Sequence, residues 1–411
     1  MRDEPCFVIV GASLAGAKAA ETLRAEGFEG RVVLVGEEEA RPYERPPLSK
    51  DYLRGEAGRD KVYVHDASFY DAHEIELRLG TSASALDLDG REVVLSGDER
   101  LGFDALLLAT GAAPRRLPVP GADLPGIHYL RDLADADALR EAIRAAERVV
   151  VVGAGWIGCE VAASARQMGA PVTMLDVAAL PLERVLGPEL GRFYRDLHAS
   201  HGVDLRLSTG VEEVVGTRHA EGVRLSGGDV VRGDVVVVGV GVAPRTELAR
   251  SAGLAVDNGI LTDEHLATAA TGVFAAGDVA NAWHPVLDRR VRLEHWSSAL
   301  HQGPAAALGM LGRHAPYTRL PYFFSDQYDV GMEYSGLARD WDEVLVRGEM
   351  SDGAFIAFYL KDGRVAAGMN VNVWDVADDI AALVASGQPV ARDALADPSV
   401  ELASLVQATS P

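Results

Sequence analysis

Short runs of branched apolar residues recur through the first part of the chain, and most stop at a glycine or another small residue. Residues 7–10 and 150–152 are two such runs, and a helical pattern of apolar positions follows each of them. A further apolar run comes after each helix, at 31–35 and 172–175. Strand, turn, helix and strand in this order are typical of parallel sheets, so the pattern predicts an α/β fold with two such units.

The glycines of the second unit indicate what it binds. Gly153, Gly155 and Gly158 follow its strand directly in the spacing G-x-G-x-x-G. The first glycine makes a tight turn, the second lets a pyrophosphate approach the backbone, and the third lets the helix pack on the strand. Asp176 ends the next strand, where such units hold a ribose. The glycines alone would also fit a plain turn, but the strand and the acid that follow favour a dinucleotide site.

The opening unit has the same plan with one change. Gly11 and Gly16 stand at the outer glycine positions, and Ser13 stands where the middle glycine would be. Glu37 closes the second strand, in the position of the ribose-binding acid. A serine side chain is small enough to leave room for a phosphate, so a second dinucleotide site is predicted. A similar turn that holds no ligand is the alternative.

The last quarter of the chain has a different pattern, which predicts a small α+β domain with an antiparallel sheet. Asp362 and Gly363 form a strong hairpin signal between two apolar runs. A helical pattern follows at 375–385, and we expect a mobile polar tail from Gln388. The predicted strands of this part are 322–325, 330–334, 344–346, 354–359 and 365–369.

Prolines mark the crossings between these parts, at Pro114 and Pro244. One dinucleotide-binding domain is therefore interrupted by the other. The predicted domains are a discontinuous first domain of residues 1–113 and 241–319, a second domain of residues 114–240, and a C-terminal domain of residues 320–411.

Composition narrows the functional classes. An apolar fraction of 48% and a net charge of −22 fit a soluble globular protein and argue against nucleic acid or an anionic membrane as partner. No apolar run reaches the ~18 residues that would span a bilayer. No signal peptide opens the sequence, so a cytoplasmic protein is predicted.

The chain has two cysteines, Cys6 and Cys159, which we expect to be small apolar fillers. A disulfide reductase would need a spaced cysteine pair in the first domain. A flavin peroxidase of the single-cysteine kind would need a thiolate near residues 42–50, where there is none. The two sites therefore favour a permanently held flavin dinucleotide and an exchangeable nicotinamide dinucleotide, with the flavin itself passing on single electrons.

Asp176 also predicts which nicotinamide is used. Its carboxylate would accept a hydrogen bond from a ribose 2′-hydroxyl and repel a 2′-phosphate, and the next arginine is Arg184. A charged hydrogen bond of ~1.5–3 kcal/mol corresponds to a preference for NADH of about ten- to a hundredfold.

Two further segments carry charged residues with more than one interpretation. The proline-rich segment 42–50 would hold Arg45 and Lys50 in a rigid loop, or would be a plain surface turn. Asp278 follows Gly277 at the end of a strand and in front of a predicted helix. It would accept a hydrogen bond from a ribityl hydroxyl or cap that helix, and the sequence leaves both roles open.

Together these segments resemble the FAD-containing, NADH-dependent ferredoxin reductases of bacterial oxygenase systems, over about residues 7–385. The resemblance implies a glutathione-reductase-like fold with two Rossmann-like domains and a small α+β C-terminal domain. The motifs that carry it are residues 45–50, 153–160, 185–190, 277–280, 294–296 and 324–329.

The resemblance implies a role for many individual residues. Lys50 and Glu160 are the predicted catalytic residues, with Glu160 near the nicotinamide carboxamide; a carboxylate favoured near a helix N-terminus is the alternative. The FAD would be held by Gly11, Ala15, Gly16 and Glu37, with Arg45, Lys50, Asp278 and Trp296 near the flavin, Ala83 at the adenine and Arg131 at the phosphate or ribityl. NADH would be held by Gly153, Gly155, Ile157, Gly158, Asp176 and Arg184. Further predicted cofactor-binding residues are Ser13, Leu14, Ala109, Thr110, Gly111, Trp156, Gly241, Gly277, Glu294, His295 and Phe324.

Three residues depart from the usual pattern of these reductases. Ser13 replaces a glycine, Asp176 replaces the more usual glutamate, and Phe324 stands where many relatives have a tryptophan close to the flavin. Phe324 would either control stacking on the flavin or be part of a strand core.

The implied partner is a two-iron two-sulfur ferredoxin, which would supply a mono-oxygenase or dioxygenase. Other interpretations are a reductase of rubredoxin or nitrite reductase, and a redox switch similar to the apoptosis-inducing factors. We expect a monomer or a homodimer. A local basic rim for an acidic ferredoxin, or solvated surface arginines, would be formed by Arg289, Arg290, Arg292, Arg313 and Arg319.

Overall fold

The computed structural model describes residues 4–406, and the chain forms two compact units. Unit 1 comprises Met1–Arg45, Gly58–Ala113 and Val242–Pro321, and unit 2 comprises Pro46–Ala57, Pro114–Gly241 and Tyr322–Pro411.

The strands of the described residues are β1 (Cys6–Val10), β2 (Arg31–Val35), β3 (Ile75–Arg78), β4 (Ala83–Asp87), β5 (Glu92–Leu95), β6 (Arg100–Gly102), β7 (Ala105–Leu108), β8 (Ala112–Pro114), β9 (Ile127–His128), β10 (Val149–Val152), β11 (Val172–Leu175), β12 (Asp204–Arg206), β13 (Val211–Gly216), β14 (Ala220–Leu225), β15 (Val230–Arg232), β16 (Val235–Val238), β17 (Val242–Pro244), β18 (Ile260–Thr262), β19 (Val273–Ala275), β20 (Ala280–His284), β21 (Arg289–Val291), β22 (Tyr322–Gln327), β23 (Val330–Gly336), β24 (Glu343–Glu349), β25 (Ala354–Lys361) and β26 (Arg364–Val371).

The α-helices are α1 (Leu14–Ala25), α2 (Asp51–Arg54), α3 (Ser68–Ala72), α4 (Leu133–Ala145), α5 (Trp156–Gln167), α6 (Glu183–Ser200), α7 (Glu247–Ser251), α8 (Trp296–Met310), α9 (Ala377–Ser386), α10 (Arg392–Ala396) and α11 (Leu402–Leu405). Short 3₁₀ turns occur at Pro46–Ser49, Arg59–Lys61, Gly277–Val279 and Met350–Asp352.

Unit 1 is built on a parallel sheet with the strand order β19-β7-β1-β2-β3. Helices α1 and α8 pack against each other beside it. Their close approach depends on small residues, because a side chain at Gly303 would put its Cβ 2.2 Å from the carbonyl oxygen of Ala15. The antiparallel sheet β4-β5-β6 and the three-stranded sheet β18-β20-β21 complete the unit.

Unit 2 contains a second parallel sheet, with the strand order β12-β11-β10-β16-β9. Strand β10 is made of four buried valines, which is typical of a sheet covered on both faces. An antiparallel sheet, β22-β23-β26-β25-β24, shares one hydrophobic core with it. Trp156 of α5 lies in that core beside Phe323 of β22, with ring centroids 4.9 Å apart. Unit 2 also contains the sheet β13-β14-β15.

The predicted fold class is confirmed: both parallel βαβ sheets and the C-terminal antiparallel sheet are present. Asp362 and Gly363 form the predicted hairpin turn, both with positive φ. The predicted division into three domains stays a prediction, since unit 2 holds both its parallel sheet and the C-terminal sheet. Within residues 4–406, no helix is long and apolar enough to cross a membrane.

The predicted mobile tail from Gln388 is wrong for residues up to 406. Helices α10 and α11 form there, and each buries one leucine, Leu395 and Leu402. Single apolar residues in polar surroundings gave no periodic pattern, which is why the sequence did not reveal these helices. Residues 407–411 lie outside the described part of the chain.

Two glycines of the second unit provide a matched test of the strand–helix contact. A Cβ at position 158 would lie 1.9 Å from the carbonyl oxygen of Gly153, whereas a Cβ at Gly155 would have no heavy atom within 4 Å. We expect Gly158→Ala to lower the free energy of unfolding by about 1–3 kcal/mol through overpacking. Gly155→Ala should stay within roughly 1 kcal/mol of the wild type. Urea unfolding of both variants checks this, and equal losses would contradict the packing role of Gly158.

Candidate functional site

The glycine turn after β10 has the shape and the donors that a pyrophosphate needs. Gly153 has φ +104°, which only glycine adopts easily. The space around Gly155, the N-cap of α5, is open at the Cβ position. No side chain caps α5, and its first turn has no acidic residue, so its N-terminal N–H groups and helix dipole favour an anion.

Asp176 is held rigidly at the end of β11. Its Oδ2 accepts a hydrogen bond from the backbone N–H of Ala154 at 2.6 Å, and its Oδ1 accepts one from Ala178 at 2.7 Å. Each oxygen keeps a further lone pair for a ribose hydroxyl. Arg184 lies exposed in the first turn of α6, while its neighbour Glu183 accepts from the N–H groups of Ala179 and Leu180.

The turn after β1 is built in the same way. A Cβ at Gly11, which has φ +123°, would lie 2.0 Å from the carbonyl oxygen of Ala109, and a Cβ at Gly16 would lie 2.0 Å from that of Gly11. Ser13 is the N-cap of α1 with φ −116°, a conformation open to any residue, and its side chain makes no capping bond. The departure from glycine therefore leaves the turn intact, and the residues fit a dinucleotide pyrophosphate.

Glu37 has a partner that the sequence did not reveal. Arg245 forms an ion pair with it at 2.5 Å, and the Arg245 carbonyl accepts from Thr110 Oγ1 at 2.8 Å. Both charged side chains are largely exposed. The only signal in the sequence was Pro244, which marked a crossing without indicating the contact.

The two predicted catalytic residues meet in a buried ion pair. Lys50 Nζ lies 2.8 Å from Glu160 Oε2, and the two side chains are 9% and 5% exposed. Glu160 also accepts hydrogen bonds from the hydroxyls of Ser49 at 2.5 Å and Ser325 at 2.7 Å. A buried charge is tolerated only when it is paired and hydrogen-bonded in this way. Sequence reasoning missed both serines.

The loop that carries Lys50 is anchored on two helices. Ser164 of α5 donates to the carbonyl oxygen of Ser49 at 2.6 Å, and Tyr52 donates to Asp137 of α4 at 2.7 Å. Arg140 completes this contact with an ion pair to Asp137 at 3.0 Å. The segment is a 3₁₀ turn followed by the short helix α2, so the plain surface turn is ruled out.

Phe324 lies half-buried on β22, and Lys50 Nζ is 5.6 Å from the centroid of its ring. This contact places the aromatic ring on the side of the ammonium group and is a favourable cation–π geometry. A role of Phe324 in stacking on the flavin stays a prediction, and so does the strand-core alternative.

Two further candidates of unit 1, Arg45 and His295, are half-buried. Arg45 pairs with Glu38 at 3.1 Å. Burial lowers the pKa of Arg45, but Tyr43, Glu38 and Asp278 outweigh it, so the pKa is raised overall. Burial lowers the pKa of His295 to about 4, against the opposing charge of Asp278.

Asp278 corrects one detail of the sequence interpretation. It lies in the 3₁₀ turn Gly277–Val279, whose N-cap is Ala276, and strand β20 follows directly. It therefore neither caps a helix nor precedes one. The small apolar residues after Asp278 gave a helical pattern that strand pairing with β18 overrode.

The other predicted cofactor residues fall on turns and element ends. Leu14 and Ala15 begin α1, Trp156 and Ile157 begin α5, and Trp296 begins α8, directly after Glu294 and His295; Ala109, Thr110 and Gly111 follow β7, Gly241 follows β16, Ala83 begins β4, and Arg131 precedes α4. Their roles toward a cofactor stay predictions.

Both cysteines are buried and free. Burial, and secondarily the charges of Glu160 and Asp176, raise the pKa of the Cys159 thiol far above its usual range. Burial therefore disfavours the thiolate, which is the reactive form. Within residues 4–406, no group of acidic, histidine or cysteine side chains is arranged to hold a metal ion.

Comparison with known proteins matches this architecture. Residues 6–303 match the family described as pyridine nucleotide-disulphide oxidoreductase, and residues 322–406 match the domain described as reductase C-terminal. The chain therefore belongs to the pyridine nucleotide-disulphide oxidoreductase family, a family of oxidoreductases.

Within that family the chain is similar to ferredoxin reductase components of oxygenase systems. It is 39% identical to rhodocoxin reductase of Rhodococcus erythropolis, over 96% of this chain and 93% of that protein. It is 41% identical to the anthranilate 1,2-dioxygenase system ferredoxin–NAD(+) reductase component of Burkholderia cepacia, over 96% and 98% of the two chains. The reductase in the crystal structure of the covalent putidaredoxin reductase–putidaredoxin complex superposes with a TM-score of 0.95, at 38% identity over 99% of both chains. The predicted family resemblance is confirmed.

A double-mutant cycle measures the buried ion pair. Glu160→Gln leaves the Lys50 ammonium buried without a counter-charge, so we expect a loss of about 3–5 kcal/mol in the free energy of unfolding. Lys50→Met combined with Glu160→Gln removes both charges and should recover a large part of that loss. Urea unfolding of the single and double variants checks this, and additive losses would contradict a direct interaction.

Proposed function

We propose that the chain is an FAD-dependent NADH:ferredoxin reductase that reduces a two-iron two-sulfur ferredoxin serving a mono-oxygenase or dioxygenase. The proposal rests mainly on the similarity, over nearly the full length, to a ferredoxin–NAD(+) reductase component of a dioxygenase system and to a reductase crystallised in complex with putidaredoxin. The two glycine turns and their acids support a reaction that uses two dinucleotides. The reaction consumes one NADH and two oxidised ferredoxins and yields NAD⁺, two reduced ferredoxins and one proton.

The cofactor would supply the chemistry that the side chains lack. FAD accepts a hydride from a nicotinamide and can release electrons singly. The thiol of Cys159 is buried and protonated, and Cys6 is buried as well, which supports electron exit from the flavin rather than through a disulfide. We propose the first turn, with Gly11, Gly16 and Glu37, for FAD and the second turn, with Gly153, Gly155 and Asp176, for NADH.

Lys50 and Glu160 would act by charge and position. We propose that the ammonium group of Lys50 approaches the flavin ring, where it stabilises negative charge that develops on hydride arrival. Glu160 would keep Lys50 in place and accept from the nicotinamide carboxamide. The rigid anchoring of the loop through Ser164 and Tyr52 supports this positioning role.

The expected basic docking rim stays a prediction. Arg290 donates to the carbonyl oxygens of Thr262 and Asn281, Arg292 pairs with Glu294, and Arg313 pairs with Glu26. These three arginines are thus held by local contacts, and we do not assign the ferredoxin surface to them.

We propose a cytoplasmic location from the two free cysteines, which fit a reducing compartment.

The nucleotide preference can be tested at one carboxylate. We expect Asp176→Ala to lower kcat/KM for NADH by about ten- to a hundredfold, because a charged hydrogen bond to the ribose is lost. Activity with NADPH should not fall. Asp204→Ala on the neighbouring strand β12 removes a carboxylate with the same charge and serves as the control. An unchanged NADH to NADPH ratio in Asp176→Ala would contradict the proposed role.

The choice among acceptors can be tested directly. We expect the purified protein to contain FAD and to reduce a two-iron two-sulfur ferredoxin with NADH at least about tenfold faster than a rubredoxin. A steady-state assay with each purified acceptor at equal concentration measures this. Faster rubredoxin reduction would contradict the ferredoxin assignment. Slow turnover with every acceptor, together with a change of oligomeric state on reduction, would favour the redox-switch alternative.

A further inference from the structure

A continuous row of hydrogen-bonded side chains extends from Glu160 away from Lys50. Ser325 Oγ donates to Glu160 Oε1 at 2.7 Å, and Gln327 Nε2 donates to Ser325 Oγ at 3.2 Å. His198 Nε2 lies 2.9 Å from Gln327 Oε1, and His198 Nδ1 lies 3.1 Å from the hydroxyl of Tyr328. We call these five residues the Glu160 chain.

The Glu160 chain crosses the core of unit 2. Ser325 and Gln327 lie on the same face of β22 because strand side chains alternate, and His198 faces them from α6. Their exposures are 1%, 1% and 0%, so water does not satisfy their polar atoms. Buried polar groups of this kind require protein partners, and here each partner is another member of the Glu160 chain.

The amide of Gln327 gives the chain one direction. Its Nε2 only donates and its Oε1 only accepts. The Ser325 oxygen therefore receives one proton from Gln327 and turns its own proton toward the Glu160 carboxylate. His198 must carry its proton on Nε2, which leaves Nδ1 to accept from Tyr328. Every bond thus donates toward Glu160.

We propose that His198 and Gln327 are positioning residues that hold the Glu160 carboxylate, and through it Lys50, by a one-way hydrogen-bond chain. The amide nitrogen of Gln327 has no basic lone pair, so this row of hydrogen bonds cannot relay a proton between Glu160 and His198. Every donor of the Glu160 chain is therefore directed toward the Glu160 carboxylate, which only accepts. The effect of the Glu160 chain on catalysis rests on the function proposed above, whereas the direction of its hydrogen bonds does not depend on that function.

The charged and titratable groups near His198 and near Glu160 are consistent with this hydrogen-bond direction. Burial lowers the pKa of His198 to about 4, and the nearby His201 acts in the same direction against the bond to Gln327, so the imidazole is neutral at pH 7. The titratable groups that interact electrostatically with Glu160 are Lys50 from the anchored loop, Cys159 from its own helix, Tyr194 from α6 and the exposed Asp326 of β22.

Nuclear magnetic resonance of the full-length protein labelled with ¹⁵N-histidine tests the direction of the chain, with His198→Asn to assign the signal. We expect a neutral His198 with the proton on Nε2 from pH 8 down to about pH 5. Gln327→Glu, in which both oxygens accept, should raise the pKa of His198 and give an imidazolium in that range. A proton on Nδ1 of the wild-type histidine would overturn the proposal.

Rapid anaerobic mixing with NADH tests the positioning role. We expect Gln327→Met, which keeps the side-chain length, to slow flavin reduction about tenfold with unchanged FAD content. Tyr328→Phe removes only the outermost bond and should give a smaller effect of the same sign. Tyr194→Phe is the control, because this buried hydroxyl on the same helix has no hydrogen-bond partner among the described residues.

Equal rates of flavin reduction in Gln327→Met, Tyr328→Phe and Tyr194→Phe would overturn the positioning role of His198 and Gln327. A protein that holds no FAD would contradict the proposed function instead, and the tautomer of His198 would still decide the direction of the chain.

Discussion

The structure of unit 2 depends on keeping two opposite charges together away from water. Lys50 and Glu160 lie 2.8 Å apart with almost no exposure, and neither charge would be tolerated there alone. The need to satisfy them explains why Ser49 and Ser325 point their hydroxyls at the same carboxylate. It also explains why the proline-rich loop is tied to α4 and α5 rather than left as an exposed turn.

Glycine determines the rest of the nucleotide-binding architecture. At Gly11 and Gly153 the backbone has positive φ and passes so close to a neighbouring carbonyl group that no Cβ fits. At Gly155 the opposite holds, since open space surrounds the position where a pyrophosphate would lie. The same spacing of glycines therefore serves two separate needs, which are tight packing at the ends and free space in the middle.

These local features explain how much the sequence could predict. Strand, turn and helix are neighbours along the chain, so the βαβ units, the hairpin at Asp362 and the residues of both turns were all predicted from adjacent residues. The partners of Glu160 were not, because Ser325 lies 165 positions away and only folding brings β22 beside α5. Arg245 was missed for the same reason. The helices after Gln388 were missed because each is fixed by one buried leucine rather than by a repeating pattern.

We propose that two electrons enter together as one hydride and leave one at a time to a ferredoxin. The most direct measurement is stopped-flow mixing of the protein, reduced anaerobically with one equivalent of NADH, with excess oxidised two-iron two-sulfur ferredoxin. We expect rapid flavin reoxidation and two reduced ferredoxins per flavin. A flavin that NADH reduces but that stays reduced in the presence of ferredoxin would contradict it.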